Sequence, residues 1–190
     1  MNFFKKPINE IRTKFELELL HKAQVLPESN PPPPWIKEII VPASGCFACG
    51  WDLNENLILI SSSGYSITEV SSGILIHRNR DSELTNARIS SNNLTFHTPY
   101  NDEVIDIFGF EAGDGIHTTI DGWFVKVIYP WWPRASVIIE NLFKPNYQYL
   151  NDVTMIELKR LYGDIKCGFS PSGQNLVILG SGGALIYSRN

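Results

Sequence analysis

The first 34 residues combine a helical pattern with a run of prolines. The apolar positions with helical spacing are Ile8, Ile11, Phe15, Leu19 and Ala23. Pro7 suits the first turn of a helix, where its missing N–H removes no hydrogen bond. The pattern predicts one amphipathic helix over residues 7–25. The prolines at 31–34 then form a stiff spacer or, alternatively, a ligand for a proline-recognition module.

From Ile36 onward, short apolar or alternating runs are separated by Gly, Ser, Asn and Pro, a pattern typical of β-strands joined by turns. A short helix is predicted over 153–161, capped by Asn151 or Asp152. The predicted strands are 36–41, 46–51, 57–61, 65–70, 74–78, 86–90, 94–97, 104–108, 122–129, 136–141, 165–169, 176–179 and 184–187. The chain of 190 residues is therefore predicted to be mainly β, with a helix and spacer over 1–34 and a single β-rich domain over 35–190.

Two segments of the β-rich region resemble each other. Residues 49–64 read CGWDLNENLILISSSG, and residues 167–183 read CGFSPSGQNLVILGSGG. Each has Cys-Gly-aromatic, a polar turn, an apolar strand and a small Ser/Gly turn, with one residue inserted in the second copy. Such self-similarity indicates a repeated supersecondary unit.

The C-terminal copy resembles part of a WD-repeat blade. Phe169-Ser170-Pro171-Ser172-Gly173 matches the turn of such blades, and Tyr187 stands near their usual Trp, although the Gly-His and Trp-Asp signatures are missing. The resemblance covers residues 165–190 and, less closely, 46–80. It implies antiparallel β-meanders arranged as propeller-like blades, in a small or incomplete propeller or a sandwich. Because a blade takes about 40–45 residues, the chain has room for three or four at most.

The net charge and the distribution of charged residues near the N-terminus limit the class of protein and its location. The formal net charge is −4 and the pI is about 5.6, whereas nucleic-acid-binding domains are strongly basic. Charged residues interrupt every early apolar run, and no apolar run reaches the roughly 20 residues of a membrane span. These features predict a cytoplasmic protein that binds neither nucleic acid nor membrane.

Patterns for metal, redox or nucleotide chemistry are weak. Cys46 and Cys49 form a C-x-x-C, but positions three apart in a strand point to opposite faces, so the pair is not expected to converge. The histidines lack zinc-site spacing, and the glycine-rich loop at 109–115 lacks the order of a calcium loop. We therefore expect buried reduced thiols, no metal and no cofactor.

Two groups of residues are not needed to explain the fold and are therefore candidates for a functional role. The acidic group comprises Asp102, Glu103, Asp106, Glu111 and Asp114. The aromatic group is Trp131 and Trp132 held between prolines, followed by Arg134. Trp and Arg are frequent at interface hot spots, and clustered carboxylates suit a basic partner. Both groups are therefore predicted to contact a protein partner.

Three functions fit these observations. A small acidic β protein without a visible catalytic group resembles bacterial immunity proteins in size and charge, and such proteins neutralise a toxin by binding it. That resemblance implies a non-enzymatic module with a basic toxin domain as its partner. The alternatives are a WD-like scaffold or assembly subunit, and a hydrolase that uses His97 or His117.

Overall fold

A computed structural model describes residues 12–42 and 44–189. Within these ranges the protein is mainly β, with two helices, α1 (Lys14–Gln24) and α2 (Ser82–Ala87). The first seven strands are β1 (Glu28–Ser29), β2 (Trp35–Pro42), β3 (Cys46–Trp51), β4 (Leu57–Ser61), β5 (Gly64–Glu69), β6 (Ile74–Asn79) and β7 (Thr95–Thr98). The remaining strands are β8 (Glu103–Gly109), β9 (Trp123–Trp131), β10 (Arg134–Asn141), β11 (Thr154–Ile156), β12 (Lys166–Phe169), β13 (Asn175–Gly180) and β14 (Gly183–Arg189).

The strands form three sheets. The first has the order β1-β11-β10-β9, the second β12-β13-β14-β2, and the third β6-β5-β4-β3-β8-β7. All neighbouring pairs are antiparallel except β1 and β11. Because β2 pairs with the C-terminal β14, an early segment of the chain completes the second sheet.

The second sheet lies between the other two. In β13, Leu176 and Ile178 pack with β9, β10 and β11, whereas Val177 and Leu179 pack with β3 and β4 of the third sheet. A strand buried on both faces needs a continuous apolar run, and Leu176–Leu179 supplies one. The third sheet also encloses a core of its own on its other face, around Ile58, Ile67 and Phe96.

The single helix predicted over residues 7–25 is not confirmed. Residues 7–11 lie outside the described part of the chain, and Thr13 is an extended N-cap that makes a reciprocal capping box with Glu16, so helix α1 begins at Lys14. Ala23 is buried against the outer face of the first sheet, while Phe15 remains 67% exposed.

Two other local predictions are wrong. The helix predicted over 153–161 is instead strand β11, because Met155 and Ile156 pair with both β1 and β10. In the strand predicted over 86–90, residues 86 and 87 end helix α2, which the Asp81 carboxylate caps at the Leu84 N–H, and Ile89 forms an isolated β-bridge with Phe96. Contacts with neighbouring strands therefore decide the first segment, whereas a local helix cap decides the second.

The sequence repeat has a structural counterpart, but a closed propeller is not seen. Cys49 pairs with Leu59 as Cys167 pairs with Ile178, and Trp51 pairs with Leu57 as Phe169 pairs with Leu176. The next turns also correspond, since both Gly64 and Gly183 have positive φ. The two copies therefore form equivalent hairpins in the third and second sheets, and these sheets stack without closing around an axis.

An ion pair connects the end of β14 to the loop that precedes β9. The Arg189 guanidinium on β14 donates to both carboxylate oxygens of Asp121, each at 2.8 Å. The hydrogen bond from Arg189 lowers the pKa of Asp121 to about 2, from an ordinary value near 3.8. Because this folded-state pKa is depressed, the pair stabilises the fold above pH 4, and that contribution is lost as the pH falls towards 2.

We expect Asp121→Asn to lower the free energy of unfolding at pH 7 and to flatten its pH dependence between about 4 and 2. The effect is modest because the Asp121 side chain is 47% exposed. Urea unfolding at several pH values measures it. Glu111→Gln, which neutralises an exposed carboxylate elsewhere, should leave the wild-type slope unchanged. A retained slope in Asp121→Asn would contradict the prediction.

Candidate functional site

Three of the five predicted acidic residues line one open cleft. We call it the acidic cleft; its volume is about 680 Å³, and its walls are β8, the turn between β3 and β4, the loop 113–116 and the turn between β12 and β13. Its carboxylates are Asp52, Glu55, Glu103, Asp106 and Asp114. No Lys or Arg is among the described residues that line it.

The strand register explains how β8 contributes to the cleft. Alternate residues of a strand share a face, so Val104, Asp106 and Phe108 point to the same side of the third sheet. Phe108 lies in the core between the second and third sheets, whereas Asp106 and Val104 are exposed. The cleft therefore lies where this face of the third sheet extends beyond the second sheet.

Three of the carboxylates also hold the turns of the cleft. The Asp52 carboxylate accepts from the backbone N–H groups of Asn54 and Asn56, at 2.9 and 2.8 Å. Glu103 Oε1 accepts from the Leu53 N–H at 2.8 Å. These backbone donors are neutral and bring no compensating positive charge into the cleft.

Glu55 joins the two halves of the sequence repeat. It has φ of 58°, at the position where the second copy has Gly173 with φ of 70°. Its carboxylate accepts from the Ser172 N–H at 3.0 Å and from the Asn175 side-chain amide at 2.8 Å. The first repeat's turn is thus clamped to the second repeat's turn, and this contact forms part of the cleft wall.

The remaining two carboxylates differ in their partners. Asp114 Oδ1 accepts from Lys166 Nζ at 2.7 Å, and this hydrogen bond lowers the pKa of Asp114. The Asp106 side chain is exposed, and its carboxylate forms no hydrogen bond or ion pair with the described residues, although its backbone pairs with Thr95. Asp106 is therefore the carboxylate of the cleft that is most available to a partner.

Exposed apolar side chains accompany these charges. Leu53 is 88% exposed, Val104 64%, Ile116 47% and Leu94 45%, and all four line the cleft. Single exposed apolar residues are common on protein surfaces. A group of them in one place indicates a binding surface, because burying it against a partner removes apolar area from water. The cleft thus joins negative charge with apolar surface.

Two predicted acids lie outside the lining of the cleft. Asp102, in the β7–β8 turn, accepts from His97 Nε2 at 2.7 Å. Glu111 is exposed in the loop that follows β8. Conversely, Asp52 and Glu55 were not predicted as site residues, because the sequence repeat assigned them to a turn. The only sequence feature that relates them to the cleft is that their turn corresponds to the turn at 170–174, which also lines it.

The aromatic group lies at the far end of strand β9 from the cleft. Ile116 of the cleft pairs with Phe169, and nearby Thr118 pairs with Phe124 at the start of β9. Trp131 ends β9 eight residues after Trp123, which corresponds to roughly 26 Å of strand. The structure therefore does not bring the two predicted groups together.

The end of the β9–β10 hairpin exposes its aromatic rings. Trp132 is 78% exposed and packs on Tyr129, with ring centroids 5.3 Å apart. Trp131 is 40% exposed beneath the Arg134 guanidinium, which also pairs with Glu28 at 2.6 Å. Rigid exposed rings of this kind suit a contact with another molecule.

The geometry at His97 does not resemble a catalytic triad. Arg88 Nη1 lies 3.1 Å from His97 Nδ1, and Asp102 lies 2.7 Å from Nε2. Because arginine is always a donor, Nδ1 must accept and Nε2 must carry the proton. Within the described part of the chain, both ring nitrogens are thus engaged by charged side chains, Arg88 and Asp102, and not by a hydroxyl or thiol. Asp114 is near His117, but no described group of three metal-ligating side chains is close enough to hold a metal ion.

The expectation that Cys46 and Cys49 diverge is wrong. A β-bulge between Cys46 and Ala48 shifts the register of β3, so both thiols enter the core between the second and third sheets. All three cysteines are free and buried. Burial raises the pKa of Cys46 and of Cys167 to about 12 and also raises that of Cys49, which keeps the thiols protonated and unreactive.

Comparisons of the chain with protein-family models, with curated proteins and with solved structures found no match. Neither of the two described helices has the length and apolar character required to cross a membrane. The functional interpretation therefore depends on the acidic cleft and the exposed aromatic hairpin.

Proposed function

We propose that this protein is a non-enzymatic binding module of the immunity type, which neutralises a toxin by covering a basic surface of it. The observation that carries the proposal is the acidic cleft, which combines five carboxylates, one of them (Asp114) paired with Lys166, with four exposed apolar side chains. The partner that complements it is a protein segment with Lys or Arg beside apolar residues.

Charge and apolar surface have separate roles in this proposal. Carboxylates that face a basic patch accelerate encounter and reject acidic partners. The apolar side chains Leu53, Val104 and Ile116 supply the area that loses water when the complex forms. A toxin that acts on nucleic acid has a basic active surface, and an acidic module placed on it would compete with the substrate.

The aromatic hairpin is a second proposed contact. Trp131, Trp132 and Arg134 belong to the residue types that anchor interfaces. A standard interface buries about 800 Å² on each partner, a patch roughly 30 Å across, which is comparable with the length of β9. The length of β9 therefore lies within the span of one partner with a standard interface.

We expect Asp106→Lys to weaken partner binding by about tenfold or more, because it places a positive charge where basic groups dock. The partner is first identified by co-purification from the source cell and then titrated in purified form by calorimetry at two salt concentrations. The Asp106 carboxylate is exposed and forms no hydrogen bond with the described residues, so the substitution should not unfold the protein.

The matched control is Glu111→Lys, which changes the net charge by the same amount at an exposed acid outside the cleft. Its affinity should stay near that of the wild type. Equal losses for both variants would show that only net charge matters, and an unchanged affinity for Asp106→Lys would exclude the cleft. Protection of growth against the toxin should follow the same order.

A further inference from the structure

A second pocket, at another end of the third sheet, has the opposite chemistry. We call it the serine–arginine pocket; its volume is about 500 Å³. Its polar lining includes Ser61, Ser63, Ser66, Arg78 and Arg80, and Ser44 stands at its margin. No carboxylate is among its described lining residues, although the chain as a whole is acidic.

Strand register gathers these side chains on one face. Leu59 pairs with Ser66, and Ser66 pairs with Arg78 on the edge strand β6. Two residues away along the sheet, Cys46 pairs with Ser61 and Ser61 with Gly64. Cys46 and Leu59 lie in the core between the third and second sheets. Ser66 and Arg78 are their neighbours on the same face of the third sheet, at the position where the second sheet no longer covers it.

The β4–β5 turn is pressed against the end of β6. A Cβ on Gly64 would lie 2.1 Å from the Asn79 carbonyl oxygen, so only glycine permits this approach. Gly64 has φ of 128°, which also favours glycine. The contact places the hydroxyl-bearing turn at 61–63 beside the Asn79–Arg80 backbone, and this gives the pocket its depth.

The two guanidinium groups are not neutralised within the described chain. Neither Arg78 nor Arg80 forms an ion pair with a described residue, and both are exposed. The nearest carboxylate in sequence, Asp81, is occupied because its Oδ1 caps helix α2 at the Leu84 N–H, 2.9 Å away. Positive charge is therefore held beside the hydroxyls of Ser63 and Ser66.

We propose that the serine–arginine pocket binds a phosphate monoester. A phosphate dianion offers acceptor oxygens in several directions, which suits two forked guanidinium groups and the nearby hydroxyls of Ser63 and Ser66. The Ser61 hydroxyl donates to the Gly64 carbonyl at 3.0 Å and holds the turn. A carboxylate has only two oxygens in one plane and leaves several of these donors unused. This site is independent of the acidic cleft and of the partner proposed for it.

The test titrates the full-length protein by calorimetry with inorganic phosphate, O-phosphoserine, glycerol 3-phosphate and sulfate, at constant ionic strength. We expect the phosphate monoesters to bind and Arg78→Ala to weaken them by about tenfold or more. Arg80→Ala should also weaken them. Arg160→Ala removes an exposed arginine from another part of the surface and should bind as the wild type does.

The probes separate the sources of the phosphate. Tighter binding of O-phosphoserine than of glycerol 3-phosphate indicates a phosphorylated side chain as the ligand, and the reverse order indicates a small metabolite. Sulfate binding equal to that of the monoesters, no detectable heat with any probe, or equal loss in Arg78→Ala and Arg160→Ala would each overturn the proposal. Arg78 and Arg80 are exposed, so their replacement should leave the thermal unfolding midpoint unchanged. Measuring that midpoint checks that the variants remain folded.

Discussion

Replacing Trp35 with alanine should lower the free energy of unfolding by about 3–5 kcal/mol, the range for removing a large buried aromatic side chain. Trp35 is 1% exposed, at the start of β2. Its ring stacks on Phe169 with centroids 5.1 Å apart and meets Trp123 edge to face at 6.1 Å. The Arg189 guanidinium lies 4.5 Å from the ring centroid.

Through these contacts Trp35 packs against three separate strands, β9, β12 and β14. Phe169 ends β12, the first strand of the second repeat. Trp123 begins β9, and Arg189 ends β14 and pairs with Asp121. Loss of the indole opens a cavity between the first and second sheets and removes the surface that supports the Arg189 ion pair. Domain stabilities are about 5–15 kcal/mol, so the expected loss is a large part of the total.

Urea unfolding followed by circular dichroism measures this loss. Leu53→Ala is the matched control, since Leu53 is 88% exposed and should change stability by less than about 0.5 kcal/mol. Trp35→Phe should fall between the wild type and Trp35→Ala. A loss below about 1 kcal/mol in Trp35→Ala would show that the ring is not packed between the sheets.

The mainly β class and most strands could be predicted from the sequence because their signal is local. Leu57–Ser61 and Leu176–Leu179 are apolar runs between turn residues, and each forms a strand as predicted. The stacking of three sheets could not be predicted in this way. It depends on which faces of β13 meet β3 and β10, and a run that is apolar on both faces does not identify its neighbours.

The candidate site could be predicted only in part. Glu103, Asp106 and Asp114 are close in sequence and meet in the acidic cleft, so clustering along the chain was informative there. Glu55 lies 117 residues from its partner Ser172, and such a contact leaves no local signal. The serine–arginine pocket was missed for the same reason, since its residues come from four neighbouring strands.

The β-bulge in β3 shows how one residue can reverse a prediction. Strict alternation places Cys46 and Cys49 on opposite faces, but the extra residue at Cys46–Ala48 returns both to one core. The backbone of β8 approaches the bulge closely. Gly109 pairs with Ala48, and the Phe110 N–H donates to the Phe47 carbonyl at 2.8 Å.

Replacing Gly109 with alanine should therefore destabilise the fold by at least about 3 kcal/mol, at the upper end of the cost of forcing extra atoms into a packed site. A Cβ there would lie 2.1 Å from the Phe47 carbonyl oxygen and 2.6 Å from Ala48 Cα. Both are backbone atoms in paired strands, so the clash cannot be relieved by rotating a side chain. Relief requires β3 and β8 to separate, which breaks the edge of the acidic cleft.

Gly113→Ala, four residues further along in the loop after β8, is the matched control. Its Cβ would come 3.0 Å from Leu94 Cδ2, the end of a half-exposed side chain that can rotate away. The control should change stability by less than about 1 kcal/mol, while Gly109→Ala unfolds at much lower urea concentration. Equal midpoints for the two variants would contradict the close pairing of β3 with β8. In the expected case, increased reactivity of Cys46 and Cys49 towards a thiol reagent would accompany the loss, because separation of these strands exposes the core in which both thiols lie.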